Sequence, residues 1–195
     1  MLRAFHNLQE TACGYSLTQL LGGPTIRRYQ AFVSAYVPQG ANRRILEIGC
    51  GVGSAQPWFT GIYTGIDINP EYVARARERF SGDFHVMDAA QLTFSPNQFD
   101  DAVSIATAHH LADEQVARMV ESAVLAAASL HVIDAVLPIS PGSIFKTALF
   151  HMDRGRHVRT FDALRAIIAQ HARVEHSEAV PGTLHDVCYI RASRS

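Results

Sequence analysis

The sequence predicts an α/β protein built on a mostly parallel β-sheet. Short apolar runs alternate with helix-like stretches from Arg43 onward, and the first run ends in a turn holding three glycines. Across 195 residues, 48% are apolar and 18% charged, the balance of a globular chain with a real core. The length suits one domain, 1–195. Within it, 1–42 reads as a helical cap, 43–138 as the ligand-binding core and 139–195 as a segment closing on a hairpin.

The elements follow in order. Thr25 to Val37 places Ile26, Tyr29, Phe32, Val33, Tyr36 and Val37 at helical spacing, ahead of the sheet. Arg44–Ile48 is a first strand and Ile62–Ile68 a second. Asn69-Pro70 then opens a helix, with Asn69 as N-cap and Pro70 at the first helical position, where its missing N–H costs nothing. Phe84–Asp88 is a third strand, Phe99–Ala106 contains a fourth, and Leu130–Leu137 is a fifth. Between the last two, Asp113 is expected to cap a helix running to about Ala128. Ser143–Met152 and Phe161–His171 read as helices. Arg173–Val180 and Asp186–Ala192 read as strands joined around Pro181-Gly182, and so short a connection makes them antiparallel.

The bulk features exclude several classes. A net charge of −1 gives no strongly basic footprint for nucleic acid. Cys13, Cys50 and Cys188 are far apart and form no metal-ligand or redox pair, so reduced thiols in a cytoplasmic setting are expected. The ten histidines include no HExxH array, and no metal site is expected. No signal peptide or membrane span is expected either.

Gly49, Gly51 and Gly53 stand as GxGxG directly after the first strand, where residues without Cβ atoms let the backbone turn sharply and approach a ligand. A dinucleotide fingerprint needs a further glycine where this chain has Ser54. Glu47, two residues before the turn, suits a cationic ligand better than a pyrophosphate. Asp67 closes the second strand at the edge where parallel sheets bind ligands, and can accept both hydroxyls of a ribose. Its neighbour Ile68 can flank an adenine or fill core.

The stretch Ile45-Leu-Glu-Ile-Gly-Cys-Gly-Val-Gly53, followed by Thr64-Gly-Ile-Asp-Ile-Asn69, resembles the class I S-adenosylmethionine-dependent methyltransferases. Phe84-His-Val-Met-Asp-Ala89 and Phe99 to Leu111 resemble that family's third and fourth motifs, so the likeness covers roughly Arg43 to Pro138. It implies a Rossmann-like fold with a seven-stranded sheet in the order 3-2-1-4-5-7-6, strand 7 antiparallel, and helices on both faces. It implies S-adenosylmethionine as cofactor, held by Glu47, Gly49, Cys50, Gly51, Gly53, Asp67, Ile68, Asp88, Ala89 and Ala106. Asp88 would meet the adenine amino group and Ala89 would offer a backbone N–H. The chain departs from the family in two places. Little room is left for a helix between Gly53 and the second strand, and Ala126-Ala-Ala-Ser-Leu130 replaces the usual Pro-Gly-Gly turn.

Methyl transfer from a sulfonium is an in-line displacement accelerated largely by positioning, and it needs a base only where the acceptor loses a proton. His109 and His110 follow the fourth strand and are the candidate bases, His110 foremost; the alternative is that one of them only packs. Arg156 and Arg159 could fork onto an anionic acceptor. The alternative there is a solvated basic loop. Tyr15 and Tyr29 could close over the pocket if the first helix is a lid, or pack. The expected activity is methyl transfer to a small molecule, with an anionic acceptor as one reading. Two competing readings stand: the fold binding S-adenosylmethionine or another ligand without transfer, and a nucleotide-cofactor oxidoreductase, against which GxGxG and Glu47 count.

Overall fold

A computed structural model describes residues 12–138, 157–182 and 186–195, with side chains described from Gly23 onward. The seven strands are β1 (Arg44–Ile48), β2 (Ile62–Asp67), β3 (Asp83–Val86), β4 (Phe99–Ile105), β5 (Ala127–Val136), β6 (Arg173–Val180) and β7 (Asp186–Ser193). They form one sheet in the order β3-β2-β1-β4-β5-β7-β6. All neighbours pair parallel except β5–β7 and β6–β7, which are antiparallel. The carboxyl ends of β1 to β5 therefore share one edge, where loops can gather groups around a ligand.

The helices are α1 (Ala12–Tyr36), α2 (Pro70–Arg79), α3 (Asp113–Ala126) and α4 (Phe161–His171). Alternation along the strands divides the core in two. Leu46, Ile48, Ala102, Leu130, Val132 and Ile190 face one way, against α3 residues Val116, Met119 and Val120 and α4 residues Leu164 and Ile168. Ile45, Val103, Ile105, Ile133 and Tyr189 face the other, with Tyr29, Phe32 and Val33 of α1 and Val73 and Ala76 of α2. Burial of both sheet faces is the reason these strands read as nearly continuous apolar runs.

Local chemistry explains the boundaries. Asn69 caps α2, its side chain accepting from Glu71 N at 2.9 Å with Pro70 following it. At α3 the expected cap moves by one residue. Ala112 occupies the N-cap in extended conformation, and the Gln115 side chain accepts from its N–H at 2.9 Å. Asp113 is thus the first helical residue, where a carboxylate favours the positive end of the helix dipole. α3 passes straight into β5 at Ala127 with no intervening loop, so the strand begins three residues earlier than its apolar run suggested. β3 ends at Val86, leaving Met87 and Asp88 beyond the ladder.

The largest difference is α1. It begins at Ala12, ahead of the expected start at Thr25, and runs through Gly22, Gly23 and Pro24, residues of low helix propensity. The stretch between Gly53 and β2 holds one 3-10 turn, Gln56–Trp58, with Pro57 inside it, as the short spacing required. The helix expected over Ser143–Met152 lies outside the described residues.

Under α1 the sheet carries a chain of buried polar groups. Arg43 donates to Asp101 Oδ2 at 2.8 Å, and His131 Nε2 donates to Asp101 Oδ1 at 3.1 Å. His131 Nδ1 then accepts from the Tyr189 hydroxyl at 2.9 Å. This assignment uses one donor and one acceptor of a neutral imidazole, so each buried group is satisfied. Tyr36 of α1 stacks on Tyr189 with ring centroids 4.4 Å apart, docking the helix over this end of the sheet.

Candidate ligand site at the carboxyl edge of the sheet

The turn after β1 is shaped by backbone conformations that side chains resist. Gly49 has φ +77°, and a Cβ there would overlap the Thr107 hydroxyl and lie 2.6 Å from its methyl. Gly51 has φ +54°, but open space surrounds the place a Cβ would take. One glycine is therefore needed for packing inward against β4's loop. The other leaves room on the outer side, where a ligand can approach the backbone.

The turn is fastened to β2. Gly49 N and Cys50 N both donate to Ile66 O at 2.8 Å, and Gly51 N donates to Asp67 Oδ2 at 2.9 Å. Asp67 Oδ1 accepts from Asn69 N at 2.8 Å. Each carboxylate oxygen has one protein donor and a lone pair to spare, the capacity a diol would use. Ile68 stands next to it with 67% of its surface exposed, an apolar face at the mouth of the edge. Beyond β3, Asp88 Oδ1 accepts from Ala90 N at 2.9 Å in a local turn that presents the carboxyl and Ala89 on the same edge. Two carboxylates, an exposed isoleucine and an open glycine backbone fit a nucleoside lying across β1, β2 and β3.

Glu47 is a buried acid behind the turn, not one open to solvent. It is 3% exposed, on the α1 side of β1, and accepts a short hydrogen bond from the Tyr63 hydroxyl. Burial, with Asp67 adding to it, raises its carboxyl to about 8, although the Tyr63 bond pulls the other way. Burial likewise pushes the Cys50 thiol up, with Glu47 and Asp67 contributing, so this cysteine is an inert small residue of the turn. Burial also raises the Tyr63 hydroxyl, which keeps it a hydrogen-bond donor.

On the other side of β1, Ala106 follows β4 in a left-handed conformation, φ +52°, unusual for a residue with a side chain. Its N–H donates to Ile133 O at 2.8 Å, which helps hold the strained residue in place. The chain then forms a 3-10 turn, Ala108–His110. Its two histidines diverge. His109 is buried at 8% exposure, and its Nδ1 makes a short contact to Asp134 Oδ1, while its own N–H donates to Asp134 Oδ2 at 3.1 Å. His110 is exposed and lies against the His109 ring at a centroid distance of 4.0 Å. The histidine expected foremost as base is thus the outer one, and the inner one has the carboxylate partner. Asp134 and Tyr63 were not singled out in the sequence. A buried acid near the end of β5 and a tyrosine inside the apolar run of β2 were the available signals.

One expectation for the acceptor side changes. Arg159 donates to Asp113 Oδ1 at 2.7 Å and to the carbonyls of Ala108 (3.0 Å), His157 (2.7 Å) and Leu111 (2.6 Å). With its guanidinium only 9% exposed, it clamps the loop after β4 instead of offering a fork to an anion. Tyr29 of α1 is buried, in the cluster that also holds Cys50, Ala55 and Ile105. Arg156 and the side chain of Tyr15 lie outside the described residues. No cluster of three or more potential metal ligands occurs among the described residues, and no described helix is long and apolar enough to cross a membrane.

This sheet order and glycine-turn edge define a Rossmann-like fold of the kind that binds a nucleoside cofactor. A methyltransferase-domain family model matches residues 46–130. The O-methyltransferase cnsE of Penicillium expansum is 34% identical over an alignment covering 37% of this chain and 30% of that relative, so the chain matches less than a third of its length. The same fold is seen in the YcgJ protein from Bacillus subtilis, with TM-score 0.67 and 14% identity, covering 87% of this chain and 99% of that one. It is seen again in geranyl diphosphate C-methyltransferase from Streptomyces coelicolor A3(2), solved with S-adenosyl-L-homocysteine. That likeness has TM-score 0.69 and 9% identity, covering 87% and 80%. Over residues 46–130 the chain is thus similar to the methyltransferase-domain family, and its fold is that of these solved structures.

Proposed function

We propose that this protein transfers a methyl group from S-adenosylmethionine to a small molecule at the carboxyl edge of β1, β2 and β4. The observation that carries the reading is the glycine turn hydrogen-bonded to Asp67, open at Gly51 and flanked by exposed Ile68. S-adenosylmethionine, when bound, supplies a methyl group made electrophilic by its sulfonium. Asp67 holds the ribose hydroxyls, Ile68 covers the adenine, Asp88 and the Ala89 amide meet the adenine edge, and Glu47 with the turn serves the amino-acid end.

His109 is the general base of this reading, and Asp134 is its positioning residue. A buried carboxylate on Nδ1 fixes the tautomer, leaves Nε2 as the basic nitrogen and stabilises the imidazolium once a proton arrives. That arrangement serves an acceptor that must lose a proton, such as a hydroxyl or an amine. The relative's name, an O-methyltransferase, is compatible with it. Arg159 lends no support to an anionic acceptor, so that part of the expectation rests on Arg156 alone. The protein is proposed to act on a small molecule without nucleic acid or membrane, in the cytoplasm.

Calorimetry tests the cofactor. S-adenosylhomocysteine should bind at micromolar affinity and NAD should not; binding of NAD instead would overturn the reading. A screen of hydroxyl, amine and thiol acceptors with labelled S-adenosylmethionine then finds the substrate.

A further inference from the structure

Glu47 is a carboxyl with an unusual environment. It sits within the sheet, 3% exposed, where an ionised carboxylate is costly unless a cation accompanies it. Its hydrogen-bond partner is the Tyr63 hydroxyl on β2. The other ionisable groups acting on it are Asp67, also on β2, and Cys50 in the turn, neither of which brings positive charge. From β4 the residue in register with it is Val103, and α1 contributes Tyr29, Phe32 and Val33 to the same cluster. Among the described residues no lysine or arginine is paired with it. The neutral acid is the form this surrounding favours, and its carboxyl stands at about 8.

The cofactor of the proposed reaction carries an α-ammonium group, as does its product S-adenosylhomocysteine. Glu47 lies two residues before the glycine turn that would receive that end of the molecule. We propose that ligand binding at this turn is proton-coupled: Glu47 gives up its proton to solvent as the ammonium arrives, and Tyr63 donates to the carboxylate that remains. The ammonium keeps its own protons, and no covalent bond other than the carboxyl O–H changes. The site therefore favours a nucleoside bearing a cationic amino-acid tail over the same nucleoside without one, because only the former compensates the buried charge. The inference rests on the cofactor reading above.

The test is isothermal titration calorimetry of the full chain at pH 7, repeated in buffers of different ionisation enthalpy. S-adenosylhomocysteine should release most of one proton, because a carboxyl near 8 is largely protonated there. 5′-Methylthioadenosine, which lacks the amino-acid tail, should bind with release near zero. In Glu47→Gln the release with S-adenosylhomocysteine should vanish while binding persists at lower affinity. Binding of S-adenosylhomocysteine to the wild type with no buffer dependence overturns the coupling, as does release that survives in Glu47→Gln. Failure of S-adenosylhomocysteine to bind at all shows as absent heat in every buffer and overturns the cofactor reading instead. The wild-type comparison of the two ligands decides the matter even if the variant folds poorly.

Discussion

The Thr107 hydroxyl donates to Ile48 O at 3.2 Å and fills the space that Gly49 leaves by having no side chain. This contact joins the loop after β4, which carries the two histidines, to the turn after β1. The two halves of the proposed site are thereby built against one another.

Gly49→Ala should destabilise the fold by about 2–4 kcal/mol, combining left-handed strain with overpacking. Urea denaturation checks the loss. Thr107→Ala in the same chain should recover part of it, since the added Cβ would then meet only the Cβ of residue 107, at 3.0 Å. The remaining deficit is the cost of φ +77° for a residue with a side chain.

Asp67→Ala should lower S-adenosylhomocysteine affinity by about 10- to 100-fold, the size of charge-assisted hydrogen bonds lost at the ribose. It also orphans the amides of Gly51 and Asn69, so a stability loss of about 1–3 kcal/mol should accompany it. Asp67→Asn, which retains one acceptor oxygen, should fall between. Calorimetry and thermal unfolding on the same variants separate the two effects.

Asp134→Asn should reduce kcat for the acceptor found by screening by about 10²- to 10⁴-fold, the range of general-base catalysis. S-adenosylhomocysteine affinity should stay within about twofold, since the glycine turn is untouched. His109→Ala should match it, and His110→Ala should cost less. An alkaline pH profile that restores rate in Asp134→Asn but not in His109→Ala distinguishes positioning from simple loss of fold.

Arg159→Ala should act on stability, lowering it by about 1–3 kcal/mol, with acceptor KM little changed. The lost bonds are those to Asp113 and to the carbonyls of Ala108 and Leu111. A large rise in KM with unchanged unfolding would return Arg159 to the acceptor site.

Glu47 makes stability depend on pH with a definite sign. Its carboxyl is raised in the folded protein, from 4.5 to about 8, so the folded state holds a proton that the unfolded state has lost. The stabilisation is complete below the unfolded value and disappears as pH rises through the folded one, with a slope of up to about 1.4 kcal/mol per pH unit in between. The ligand-free protein should therefore be less stable at pH 8 than at pH 5 through this group. Denaturation curves of the wild type and Glu47→Gln across that window check it; the variant should show a flatter profile.

The sheet order was what the family resemblance implied; the residues alone determined the run of strands and helices, the position of the glycine turn and the acids at the ends of β2 and β3. These are local properties: apolar periodicity, left-handed glycines and an Asn-Pro cap act over a few residues, and their spacing carries over directly into the fold. Tertiary structure decided the rest, because burial and partnership depend on residues far apart in the chain. Two adjacent histidines look equivalent until β5 brings Asp134 to His109, 25 positions away. Arg159 looks free until α3 and the loop after β4 surround its guanidinium. Glu47 looks like an open anion until β2 lays Tyr63 against it and the sheet excludes water. In each case the sequence supplied the chemical group, and packing set its charge, its partner and its use.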